Sequence, residues 1–179
     1  NSMYLQIQTQ RSMPEPERLL DAFRDIRMGC HLFQGVTDAT MTHGEAWHWA
    51  RMGRKLERAD KTSRILDVRY ATLPERGAPT SVSQVEALEW SAILRSCSAW
   101  DAYKSIHGAD VNPRLVAEFL LLNEDFPRSV RFCVSQLNEA LRKISGVAGG
   151  RFSNDGEKLA GRLEDRPQLA LQVATSDKV

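Results

Sequence analysis

The 179-residue sequence predicts an all-α fold, a helical bundle of about six or seven helices joined by short loops. Three observations support this prediction. Apolar residues recur every three or four positions along most of the chain. No segment alternates strictly between apolar and polar residues, and no hairpin dipeptide separates two β-branched runs. The prolines fall between the periodic segments rather than inside them, as expected at helix boundaries.

Breaks in the apolar pattern divide the chain into the predicted helices, most of them bounded by proline, glycine or a capping residue. The helices are a short opening one with Met3, Tyr4 and Ile7; Pro16 to about Thr37, with Leu19, Leu20, Phe23, Ile26 and Cys30 on one face; Glu45 to Thr72; one from a cap at Ser81 or Ser83 to Gly108; one after Pro113; one from Pro127 through Ile144; and Asp155 to Asp165. We therefore predict a bundle over 1–150, followed by a C-terminal helix and tail over 151–179.

The composition excludes several classes of protein. A hydrophobic content of 42% and a charged content of 26% are ordinary for a globular domain. Because the net charge is only +1, no global field attracts nucleic acid or an acidic membrane, and no nucleic-acid motif is present. No apolar run approaches the roughly 18 residues of a membrane span, and no signal peptide is visible. We expect a cytoplasmic protein that binds neither nucleic acid nor membrane.

The three cysteines are far apart in the sequence and form no C-x-x-C pair. The sequence therefore predicts neither a zinc site nor a disulfide framework. We expect Cys30, Cys97 and Cys133 to be small buried hydrophobic residues in a reducing compartment. A nucleophilic role for Cys133 is not favoured, because no paired histidine is evident.

The densely charged segment RMGRKLERADKTSRILDVRY, residues 51–70, lies on the longest predicted helix. It is either a solvated face with local salt bridges or a polar seam inside the bundle. The predicted packing seam comprises Trp49, Met52, Leu56, Ala59, Ser63, Leu66 and Tyr70, flanked by Glu57, Asp60 and Asp67. We predict that Glu57 faces the bundle and is held by arginines, and that Arg58 reaches an acid across a helix contact, with Asp38 as the candidate.

Several ordered motifs resemble the alpha-E family of bacterial all-helical proteins. The run MGRKLERADKTSRILD resembles the ER-containing helix of that family. FQGVTDATM precedes it, and LRSCSAWDAYKSIHG and VAEFLLLNEDFPRSVRFCVSQL follow it in the family's order. The opening NSMYLQIQ resembles the family's N-x-x-Y-L helix. The resemblance covers roughly 1–144.

The resemblance places the ER dipeptide on Glu57 and Arg58, with Asp60 and Thr62 beside it. It also implies that this chain is a C-terminal portion of the family's domain, so that Met3, Tyr4 and Leu5 would lie on an exposed apolar surface. Family members tend to be encoded beside, or fused to, ATP-grasp ligase-like and transglutaminase-like proteins. This association implies a role in a peptide-forming or amide-forming system.

Other candidate sites are less complete. Glu45 and His48 form a single E-x-x-H, whereas a di-iron bundle needs two such motifs and two further carboxylates. A magnesium site at Glu57, Asp60 and Asp67 is a weaker alternative, since magnesium usually takes a phosphate ligand as well. An anion could meet Arg128, Ser129 and Arg131 near a helix start, or these residues could be ordinary surface side chains. We predict no cofactor and no metal.

The sequence thus leaves two functional hypotheses. The preferred one is a non-catalytic helical protein that partners an ATP-grasp-type ligase or a transglutaminase-like protein. The alternative is an enzyme or small-molecule binder that acts on a peptide or an activated carboxylate. Its polar centre would comprise Glu57, Arg58, Asp60, Thr62, Arg64 and Asp38.

Overall fold

A computed structural model of the chain describes residues 16–71, 84–146 and 154–165. In these ranges all of the regular structure is helical, which confirms the predicted all-α fold. The helices are α1 (Pro16–Thr40), α2 (Glu45–Ala71), α3 (Gln84–Ser96), α4 (Trp100–His107), α5 (Pro113–Leu122), α6 (Val130–Ser145) and α7 (Asp155–Asp165). The predictions that concern the opening helix, its exposed apolar side chains and the caps at Ser81 or Ser83 lie outside the described residues.

The chain divides into two compact units, Asn1–His43 and Gly44–Val179. The first unit contains α1, which extends to Thr40, a few residues beyond its predicted end. The second contains the six helices α2 to α7. The predicted division at residue 150 stays a prediction.

One predicted helix is two helices in the structure. The segment that the sequence analysis carried unbroken to Gly108 stops at Ser96 and resumes at Trp100. Ser98 adopts a left-handed backbone, with φ of 51°. The Ser98 N–H donates to the carbonyl of Arg95 at 2.9 Å, and the Ala99 N–H donates to that of Leu94 at 2.7 Å. This pair of bonds is a Schellman motif, which usually has glycine at the left-handed position, so the sequence carried no signal for it.

The core of the second unit lies among α3, α4 and α5. Trp90, Leu94, Tyr103, Val116 and Leu120 are fully buried there, and Leu66 of α2 packs against them. The Tyr103 hydroxyl donates to the carbonyl of Asp110 at 2.9 Å, so its buried polar end is satisfied. Burial of large apolar side chains at the centre of this unit is the main favourable term for its folding.

Helices α2, α6 and α7 form the other side of the second unit. α2 packs along α6, and α7 packs on α6. At the start of α7, the side chain of Asn154 accepts from the Glu157 N–H at 2.9 Å, as an N-cap. Glu157 is only 1% exposed, and the side-chain Nδ2 of Asn154 donates to its Oε1 at 3.5 Å. The bounds of α7 are those predicted from the sequence.

Candidate functional site

The packed side of α2 agrees with the predicted seam only in part. Leu66 of that seam is buried, but Leu56, placed at its centre, is 58% exposed, and Trp49 is also exposed. Thr62, outside the predicted seam, is buried, and Lys55 is partly buried on the same side. The packed face is therefore rotated toward the basic residues of the helix, which corrects the predicted orientation.

The acidic residues of the ER motif region face away from the packed side. Glu57 is exposed, and its Oε1 lies 2.5 Å from Lys61 Nζ, one turn along the same helix. Both carboxylate oxygens of Asp60 lie 2.9 Å from Nε of Arg64, and both side chains are exposed. The prediction that Glu57 faces the bundle and is held by arginines is therefore wrong. These two pairs agree with the other interpretation of this segment, a solvated helix face with local salt bridges.

Arg58 and Asp38 belong to different units. Arg58 is partly buried on α2, on the side that carries Lys55 and Thr62. Asp38 is exposed on α1, and its carbonyl oxygen lies 3.2 Å from Nε2 of His43. The predicted contact between Arg58 and Asp38 stays a prediction.

Thr62, the remaining residue of the ER motif region, has a structural contact. It is buried, and its hydroxyl donates to the backbone carbonyl of Arg128 at 3.0 Å. This bond joins the middle of α2 to the turn that precedes α6. Because the bond is partly buried, it holds the backbone at Arg128 against α2.

The residues predicted to bind an anion at the start of α6 have different roles. The buried hydroxyl of Ser129 accepts from the Phe132 N–H at 3.0 Å and donates to the carbonyl of Asn123, so it is the N-cap of α6. Arg131 pairs with Glu124, at 2.6 Å between Nη2 and Oε1. Arg128 is partly buried and pairs with no acidic side chain of the described ranges.

The contact between α2 and α6 brings several basic side chains together. Arg51 donates to Gln136 and to Glu139, the latter at 3.1 Å. One turn further on, Lys55 Nζ lies 4.5 Å from the ring centroid of Phe132. Thr62 contacts Arg128, so the two helices run antiparallel. Sequence analysis missed Lys55, which lies outside the predicted seam and is not one of the acids that were placed beside it.

Burial and like charges act together on Lys55. The pKa of its ammonium is lowered, first by desolvation and then by the neighbouring guanidinium groups of Arg58, Arg51 and Arg54. Opposite it, Cys133 is fully buried, and its Sγ lies 3.5 Å from the carbonyl of Pro127. Desolvation raises the pKa of the Cys133 thiol, although the nearby cations oppose this effect. The thiol is therefore protonated and unreactive at neutral pH.

The lowered pKa of Lys55 predicts a pH dependence of stability. In the folded protein Lys55 loses its proton below the ordinary lysine pKa of 10.5, whereas in the unfolded chain it does not. The unfolded state then binds more protons, so the free energy of unfolding rises as pH increases through the lowered pKa. Urea unfolding at several alkaline pH values should show this rise. The rise in stability with pH should be absent in Lys55→Met. It should persist in Lys61→Met, because Lys61 is exposed in the parent protein. Parallel curves for the parent and Lys55→Met would contradict the prediction.

Two of the three cysteines behave as predicted. Cys97 and Cys133 are buried, but Cys30 is exposed on α1, which corrects the prediction for that residue. Burial raises the pKa of the Cys97 thiol, against a smaller lowering by Arg128. In the parts of the chain that the structure describes, no three His, Cys, Asp or Glu side chains converge on a potential metal site. Glu45 of the E-x-x-H accepts a hydrogen bond from Nε1 of Trp49 at 3.2 Å.

The family comparison agrees with the motifs and with the fold. A model of the Alpha-E family, described as a predicted alpha-helical domain with a conserved ER motif, matches residues 1–177. No curated protein and no solved structure matches the chain significantly. The match extends over nearly all of the sequence, including the helix that carries Glu57 and Arg58. The chain therefore belongs to the Alpha-E family.

Proposed function

We propose that this protein is a non-catalytic helical component of a cytoplasmic peptide-forming or amide-forming system. In this role it binds an ATP-grasp-type ligase or a transglutaminase-like protein. The proposal combines the association of the resembling family with one structural observation, the apolar face of α1. Among the described helices, none is long and apolar enough to cross a membrane.

The apolar face of α1 is exposed over several turns. Leu19, Phe23, Ile26, Cys30 and Phe33 follow one another at steps of three and four residues, so they share one side of the helix. Phe23 is 58% exposed and Phe33 is 69% exposed. Fully burying such a side chain contributes about 1.5–3 kcal/mol. A partner surface that covers both rings would therefore gain a few kcal/mol of binding energy.

The character of this face favours a protein partner over a small molecule. Aromatic side chains are enriched at the centres of protein interfaces, where few residues supply most of the binding energy. Acidic and basic residues on the rest of α1, including Asp21 and Arg24, would form a polar rim. The enzyme alternative has less support, because Glu57 and Asp60 are exposed and paired within their own helix.

The proposal predicts which proteins the chain captures. A tagged chain, used as bait in its native host and analysed by mass spectrometry, should enrich an ATP-grasp-type ligase or a transglutaminase-like protein. Purified bait and partner should then bind in isothermal titration calorimetry. The double variant Phe23→Ser/Phe33→Ser should weaken binding by at least about tenfold, because both anchors are lost.

A matched control separates loss of the face from general loss of apolar surface. Ile106 of α4 is 58% exposed, as Phe23 is, but it lies in the second unit. Ile106→Ser should bind as tightly as the parent. If Ile106→Ser weakened partner binding as much as Phe23→Ser/Phe33→Ser does, the result would argue against α1 as the binding face. Failure of the bait to enrich either class of protein would argue against the proposed partners.

A further inference from the structure

Two cations from different helices contact one tryptophan ring at the junction of α3 and α4. The guanidinium carbon of Arg95, in the last turn of α3, lies 4.8 Å from the ring centroid of Trp100. Lys104 Nζ, on α4, lies 5.5 Å from the same centroid. Because both distances end at one point, the two charged ends are separated by about 10 Å at most, whichever ring faces they contact.

The packing of this junction fixes the positions of the two cations. Trp100 begins α4 and packs against the buried core of the second unit. Leu94, directly before Arg95, is fully buried, as is Tyr103, directly before Lys104. Lys104 follows Trp100 by four residues, so both side chains lie on one side of α4. The Schellman turn between the helices brings Arg95 to the same ring.

The positive charges of Arg95 and Lys104 are not balanced by acidic side chains. Both residues are exposed, and neither pairs with an acid within the part of the chain that the structure describes. Asp101, the acid of α4, forms no ion pair among the described residues either. The Trp100 ring has no net charge, so it orients the cations without neutralising them. An anion from outside can therefore approach both.

We infer that Arg95, Lys104 and Trp100 form a docking site for an acidic segment of a partner protein. An arginine that contacts an aromatic face still presents N–H groups for two-point binding of a carboxylate, and a lysine ammonium adds a compact point charge. Alternate side chains of an extended segment are about 7 Å apart, so one segment can offer a carboxylate to each cation. Side chains already held on a ring also lose less rotamer freedom on binding.

The site is distinct from the apolar face of α1, because it lies wholly within the second unit. A nucleic acid fits it less well than an acidic protein segment. Nucleic-acid binding draws most of its strength from many phosphate contacts, whereas this site offers two cations on a chain whose net charge is only +1.

Fluorescence anisotropy with a labelled glutamate peptide, and with a glutamine peptide of the same length, tests the inference on the full chain. The parent should bind only the glutamate peptide, and more weakly as sodium chloride is raised. Arg95→Gln/Lys104→Gln should weaken this binding by about tenfold or more, because both charges are lost. Trp100→Leu keeps both charges and should also weaken it, because the ring no longer positions them. Circular dichroism checks that each variant retains its helices.

Arg114→Gln/Lys143→Gln is the matched control. It also removes one arginine and one lysine, from exposed positions on α5 and α6 that form no ion pair among the described residues. It should bind the glutamate peptide as the parent does, and so should Phe23→Ser/Phe33→Ser, which alters only the α1 face. The inference would be overturned by no binding to the parent, by an equal loss in both charge variants, or by unchanged binding in folded Trp100→Leu. Equally tight binding of a single-stranded oligonucleotide would also overturn it.

Discussion

Replacing Ser129 by alanine should lower the free energy of unfolding by about 2–3 kcal/mol, the sum of a lost N-cap and an unsatisfied carbonyl. The hydroxyl is fully buried and makes two hydrogen bonds. It accepts from the Phe132 N–H at the start of α6, and it donates to the carbonyl of Asn123 in the preceding turn. Urea unfolding monitored by circular dichroism measures the effect.

Ser105→Ala is the control for this prediction. Ser105 is exposed on α4, and its hydroxyl donates to the Ala102 carbonyl within the same helix. Its loss should change stability by less than about 0.5 kcal/mol. If Ser129→Ala proves as mild as Ser105→Ala, the two hydrogen bonds of the Ser129 hydroxyl do not stabilise the start of α6.

Thr62→Val should destabilise the protein by about 0.5–1.5 kcal/mol, because it removes the partly buried hydrogen bond from the Thr62 hydroxyl to the backbone carbonyl of Arg128. The substitution keeps the branched shape of the side chain, so the loss reports the hydroxyl rather than a cavity. The contact joins α2 to the turn before α6. Chemical denaturation measures the stability.

Glu57→Gln is the comparison for Thr62→Val within the ER motif region. Glu57 is exposed and pairs with Lys61 at i,i+4, a contact that contributes about 0.3–0.5 kcal/mol. Removing this pair should therefore lower the free energy of unfolding by no more than that amount. If Glu57→Gln lowered the free energy of unfolding by several kcal/mol, this result would contradict the exposed position of Glu57. It would support the predicted polar seam inside the bundle instead.

Most helix boundaries could be predicted because their signals are local. Asn112 and Pro113 begin α5, where the Asn112 side chain accepts from the Arg114 N–H at 2.9 Å. Gly146, in the left-handed conformation, ends α6. Such residues act through their own backbone preferences, whatever packs around them. Ser98 is the exception, because a serine adopts the left-handed conformation only when its surroundings require it.

The packed face of α2 could not be predicted from the apolar pattern. Leu56 and Leu66 are ten residues apart, so on an ideal helix they point in directions that differ by roughly 80°. Charged residues occupy most of the other positions and do not indicate which leucine is buried. The structure buries Leu66 and leaves Leu56 exposed, and this choice carries Lys55 inward and Glu57 outward. The aliphatic stems of lysine and arginine permit such a face, since they pack while their charged ends stay polar.

The sequence by itself determined the helical class, the ends of most helices and the family, because periodicity, caps and ordered motifs are properties of neighbouring residues. Only the tertiary structure decided that Thr62 joins α2 to the turn before α6, that Ser129 caps α6, and that Lys55 is drawn into the α2–α6 contact. The physical reason is that burial and charge balance depend on residues distant in sequence: Thr62 and Arg128 are 66 positions apart.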